Sequence, residues 1–226
     1  MTRRWENILA KIVEKREIIK KREVYPYDTF LQKTYQAILL LDVVESSKTN
    51  IKIKIEARKN FIVNCVTALE VFLRDMIEGL IDMNVIDQKR INEFLNDKIT
   101  LKEAWEIFSE RNITLGEIIS ATCSFQNLHQ INSIFSKLFD QDFLEEINRF
   151  EVEREDGNSK FTLREDYPEW QKRIAEMFEL RHKFVHQISL KDRLGINRLG
   201  ELWENFSAFA DAIESYLLQF VPEVEE

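Results

Sequence analysis

Apolar positions along this chain recur mostly at three- and four-residue spacing, the period of a helix with one buried face. Over residues 53–83, Ile62, Val66, Leu69, Leu73, Ile77 and Leu80 hold that spacing throughout and predict the longest helix. Ile51, Ile53 and Ile55 alternate as in a strand, but the helical pattern that follows reads them as the start of the same helix. Ile8, Leu9, Ile12 and Ile19 form a stripe over 3–23, which Pro26 closes because proline cannot continue a helix. Phe30, Leu31, Ile38 and Leu41 predict a helix over 27–44, with a turn at 46–50.

Further on, helix starts are marked by capping chemistry. Thr100 with Glu103, and Thr114 with Glu117, match the box in which a hydroxyl accepts from a backbone N–H and the glutamate reaches back. Asp87 and Ser124 are candidate caps for helices to about 96 and 139, and 142–150 reads as a short helix. Residues 151–166, with Glu-Asp-Gly-Asn-Ser at 155–159, read as an exposed loop. Pro168 suits a helix first turn, giving a helix to about 189. A last helix spans 197–221 before Pro222. The expectation is an all-α, up-and-down helical bundle over 51–226, with a helical insert near 84–166 and an N-terminal helical extension over 1–50.

Composition strengthens this picture. Only 5 glycines and 3 prolines occur in 226 residues, which excludes collagen-like, propeller and low-complexity chains. Formal net charge is −8, and charge is segregated. Residues 1–23 carry eight basic and four acidic groups, whereas 201–226 carry seven acidic groups and no Lys or Arg. That balance argues against a broad grip on duplex DNA and leaves room for a local basic site. The basic run at 15–22, interleaved with acids, reads as a solvated helix face. No apolar h-region opens the chain and no apolar tract exceeds five residues, so neither a signal peptide nor a membrane span is expected. Cys65 and Cys123 stand alone, as buried thiols of a cytoplasmic protein do. Trp5, Trp105, Trp170 and Trp203 read as core anchors, as do Phe125, Phe135, Phe139, Phe143 and Phe150.

Nucleotide-binding glycine loops, nucleophile elbows and zinc signatures are absent from the sequence. The three histidines are His129, His182 and His186. His129 lies in a polar stretch and reads as a surface residue. The other two close the segment Glu179-Leu-Arg181-His182-Lys-Phe-Val-His186. At about 100° per residue, Arg181 falls near the middle of an apolar arc of roughly 160°, and the two histidines lie about 40° apart on one flank. An arginine at the centre of a core-facing stripe demands a partner. Glu70, beside Val63, Val66 and Ile77 on the long helix, is the matching oddity. The pair reads either as a structural ion pair or as a glutamate that orients Arg181 or His186 at a site.

Arg181-His182-Lys-Phe-Val-His186 resembles the Arg-x4-6-His signature of HEPN domains, in which a polar residue follows the arginine. Residues 61–82, around Thr67-Ala-Leu-Glu70-Val-Phe-Leu-Arg-Asp75, resemble an early HEPN core helix. The likeness implies a dimerising helical bundle. It also implies a metal-independent, cofactor-free ribonuclease of toxin–antitoxin, abortive-infection or CRISPR-linked antiviral systems, with RNA as substrate and an antitoxin or defence protein as partner. Carried over, His186 acts on the ribose 2′-OH or the leaving oxygen and Arg181 stabilises phosphate charge. His182 supports them, and the two protomers' motifs meet in one cleft. Imidazole suits proton transfer near neutrality, and a guanidinium fork matches phosphate oxygens. Two other readings stand beside this one: a non-catalytic HEPN-type module for a partner or nucleotide, and a metal-dependent hydrolase using His182, His186 and acids such as Glu179.

Overall fold

A computed structural model describes residues 12, 25–96, 113–154, 157–186 and 194–221. Apart from Ile12, the helices expected over 3–23 and 100–111, the Thr100 capping box, Trp5, Trp105, the basic run at 15–22 and the tail from 222 lie outside the described residues.

The described residues form an all-α bundle of nine helices with one two-stranded hairpin. Pro26 opens α1 (Pro26–Ser46), where its missing N–H costs nothing. Asn50 caps α2 (Ile51–Asp82) by accepting from the Lys52 backbone N–H, so the alternating isoleucines do belong to the long helix. Ile62, Val66, Leu69, Leu73 and Ile77 are fully buried along it. Against α2 lie α1, antiparallel through a short turn, and α8 (Trp170–His186). The last helix, α9 (Ile196–Leu218), packs on α8 and α2. Phe30 of α1 meets Phe72 of α2 and Phe206 of α9, so α1 shares the core of the bundle.

Five shorter helices complete the bundle, packing on α2, on α8 and α9 and on one another. These are α3 (Gln88–Asn96), α4 (Leu115–Thr122), α5 (Leu128–Phe139), α6 (Phe143–Arg149) and α7 (Leu163–Asp166). The Thr114–Glu117 capping box is formed in full at α4. Asp87 accepts from the Lys89 N–H before α3, and Asp142 caps α6. Three expectations need correction. The cap of α5 is Asn127, which accepts from Gln130, rather than Ser124, because the helix begins only at Leu128. The segment read as an exposed loop contains β1 (Val152–Glu153) paired antiparallel with β2 (Lys160–Phe161), then α7. Val152 and Phe161 turn into the core while Glu153 and Lys160 face out, a two-residue alternation too short to stand out in sequence. Pro168 falls in the turn before α8 rather than inside it.

The start of α1 is tied to α9 through an acidic cluster. The Tyr27 hydroxyl donates to Asp211, and the Tyr25 hydroxyl to the Met76 sulfur. Burial, opposed by a Ser215 hydrogen bond and reinforced by Asp211 and Asp28, holds the Glu214 carboxyl above its ordinary range. Burial, Glu214 and Asp28 likewise push the Tyr25 hydroxyl up to about 12. A carboxyl whose folded pKa is raised favours the fold most below its unfolded value and loses that contribution as pH rises through the folded one. Glu214→Gln is therefore expected to raise the melting temperature at pH 7 by about 2–4 °C, for a gain of order 1 kcal/mol. The gain shrinks toward pH 4. Paired melting curves at the two pH values check this; an equal or larger gain at pH 4 contradicts it.

Candidate functional site

The site is built where α8 runs out along α2. Trp170, Ile174, Met177, Phe178 and Leu180 bury one face of α8. Arg181 continues that face, as its place on the helical wheel requires. One turn further, Val185 lies on the same stripe but is 47% exposed, so the stripe leaves the core between these two residues. Arg181 stands at the rim, its side chain 23% exposed.

Its guanidinium turns toward α2. Arg181 Nη2 lies 3.9 Å from Glu70 Oε1, and Arg74 Nη2, one turn along α2, lies 3.7 Å from Glu70 Oε2. Both separations exceed hydrogen-bond length. Glu70 Oε1 and Arg181 Nε are buried without a hydrogen-bond partner, so the ion pair leaves donor capacity on the arginine unused. Burial raises the Glu70 carboxyl above its ordinary range, with Arg181 and then Arg74 pulling it back. Two guanidinium groups thus face one carboxylate where the buried stripe of α8 reaches the rim. Arg74 was not singled out by its sequence; the available signal was its i+4 relation to Glu70.

His182 and His186 occupy the exposed flank of the same helix end. Their rings stand 4.7 Å apart between centres and are tilted by 52°. Arg181 and His186 are about 140° apart around the helix axis, and among the described residues no hydrogen bond or ion pair joins them. One chain thus brings Arg181 to Glu70, and His182 to His186, but holds the two pairs apart.

The neighbouring cations are paired with acids, Lys59 with Glu56 at 2.9 Å and Arg58 with Glu45 at 2.6 Å. Lys59 Nζ lies 5.8 Å from the centre of the Phe184 ring. Arg58 grips Glu45 through two hydrogen bonds and donates a third to the Leu194 carbonyl, fixing the chain just before α9 against α1 and α2. Lys183 and His186 lie in the last turn of α8, where the helix dipole favours cations.

Elsewhere, His129 is exposed, as its polar setting indicated. Cys65 and Cys123 are buried and not joined in a disulfide, and burial pushes the Cys65 thiol up, away from the reactive thiolate. Among the described residues no group of three or more His, Cys, Asp or Glu is placed to hold a metal, so the hydrolase reading finds no ligand set. No described helix is long and apolar enough to cross a membrane. No family model, curated protein or solved structure matches the chain.

Proposed function

We propose that the protein is a metal-independent endoribonuclease of HEPN type, working as a homodimer in bacterial defence or toxin–antitoxin biology. The observation that carries this reading is Arg181. It continues the buried stripe of its helix to the rim of the core, faces a carboxylate it does not hydrogen-bond, keeps its side chain partly exposed, and is followed in the next turn by an exposed His186. The exposed part of a guanidinium fork held by an ion pair alone is free to meet phosphate oxygens.

RNA carries its own nucleophile. His186 takes the proton of a ribose 2′-OH, and the freed oxygen attacks the adjacent phosphorus. The P–O5′ bond then breaks, and a proton returns to the leaving 5′-oxygen. The products are a 2′,3′-cyclic phosphate and a 5′-hydroxyl, with no metal required. Arg181 meets the charge that builds on the phosphate oxygens, where a fixed cation lowers the barrier most. Glu70 keeps the guanidinium in place. Because Arg181 and His186 diverge within one chain, the working pair is supplied by two protomers whose α8 ends face each other. A small basic cleft on an acidic body fits a single-stranded substrate gripped at few phosphates.

Purified protein is expected to cleave single-stranded RNA in EDTA and to leave cyclic phosphate ends, read by end-group analysis. Cleavage abolished by EDTA, or ends bearing 3′-hydroxyl and 5′-phosphate, contradicts the mechanism. The divergence of Arg181 and His186 favours one alternative, a non-catalytic HEPN-type module that binds a partner or nucleotide through the same arginine. Nucleotide or partner binding without any RNA cleavage selects it.

A further inference from the structure

We infer that His182 and His186 together form a binding site for one late first-row divalent cation, with Cu2+ preferred over Ni2+ and Zn2+. The two imidazoles are one helical turn apart on the exposed flank of α8, both open to solvent. Their ring centres stand 4.7 Å apart. An ion about 2.0–2.1 Å from a ring nitrogen lies about 3.2 Å from that ring's centre, so such rings subtend about 95° at a shared ion. That angle falls between the square-planar and tetrahedral values, which Cu2+ or Ni2+ and Zn2+ respectively favour. The helix backbone fixes both Cα positions before the ion arrives, so only side-chain freedom is lost on chelation.

Imidazole nitrogen selects for these cations over Mg2+ and Ca2+, which take oxygen. Among two-nitrogen sites the Irving–Williams order puts Cu2+ first. No third protein ligand is gathered among the described residues, leaving the other coordination positions to water. Lys183 points about 100° away from His182 around the helix, and Glu179, exposed on the same flank one turn earlier, lowers the local positive charge.

The site has a consequence that rests on the ribonuclease reading. A metal on His186 occupies the nitrogen lone pair that would receive the 2′-OH proton. Loading and cleavage then exclude each other, and the cation acts as an inhibitor of the same cleft.

The test uses the untagged full-length protein and CuCl2. Calorimetry is expected to show one Cu2+ per chain. Electron paramagnetic resonance is expected to show nitrogen coupling from two imidazoles. His182→Gln is expected to weaken binding by at least the roughly 10- to 100-fold seen when an outer-shell partner is lost, whereas His129→Gln leaves it unchanged. Unchanged affinity in His182→Gln with its circular dichroism intact, or the absence of stoichiometric binding by wild type, overturns the site. If wild-type protein cleaves RNA, one equivalent of Cu2+ is expected to suppress it and EDTA to restore it; cleavage unaffected by a bound ion overturns the inhibition. An inactive protein that still binds Cu2+ through both histidines upholds the site and removes the ribonuclease reading.

Discussion

Replacing His186 with alanine is expected to lower RNA cleavage by about 10²- to 10⁴-fold at neutral pH, the range that a positioned proton-transfer group supplies. Helical content should not change. His186 is exposed in the last described turn of α8, and no hydrogen bond joins it to another described residue. Arg181→Ala is a different experiment. It removes the phosphate donor, but it also leaves the buried Glu70 facing Arg74 alone, at 3.7 Å, so a loss of stability accompanies the loss of cleavage. Arg181→Lys separates the two effects: it retains a cation near Glu70 and discards the fork, so stability is largely kept while cleavage falls. The sharpest form of the test mixes the two alanine variants. A mixed dimer retains one arginine and one histidine, on different chains. If the working pair is made across the interface, mixing restores part of the activity that neither variant has alone. A mixture as inactive as its components, under conditions where mixed dimers are shown to form, excludes a cleft shared in that way.

The parts of this molecule that sequence reveals are those fixed by repetition. The α2 stripe from Ile62 to Leu80 repeats one signal over several turns, and every member is buried. The Thr114 box is a two-residue device whose partners are three apart, so its chemistry is local and readable. What sequence hides is set by tertiary company. Val152 and Phe161 form a hairpin because the core accepts their side chains, on strands too short to show a period. Asn127 displaces Ser124 as the cap of α5 through backbone geometry several residues along. At the site, the wheel put Arg181 on the core face of its helix, and Glu70 stood out on α2 as the matching oddity. It could not show which way a long, flexible side chain turns. Arg181 goes to Glu70 rather than toward the histidines, a choice made by the electrostatics of a neighbouring helix.

Gly116 carries the largest expected loss of stability from a single methyl group. Asp82, the last residue of α2, accepts from the Gly116 backbone N–H at 3.0 Å and from the Thr114 hydroxyl at 2.8 Å. Ser120 adds a bond to Glu78 at 3.0 Å. This holds the first turn of α4 against the backbone of α2. A Cβ on residue 116 would stand 2.5 Å from the Glu78 carbonyl oxygen and 2.6 Å from Asp82 Oδ1. The carbonyl belongs to a long buried helix and cannot retreat, so α4 must move away and release the Asp82 cap. Overpacking of about 1–3 kcal/mol and loss of a cap worth about 1 kcal/mol give Gly116→Ala a cost of roughly 2–4 kcal/mol. For a chain of this size that lowers the melting temperature by about 5–15 °C. Gly200 supplies the internal contrast. It lies within α9, and a Cβ there meets nothing within 4 Å. Gly200→Ala is expected to stabilise the protein by about 0.5–1 kcal/mol, because alanine loses less backbone freedom on entering a helix. Opposite signs for one chemical change separate a glycine required by close helix approach from one that is merely tolerated. Equal effects at the two positions would refute the tight α2–α4 contact.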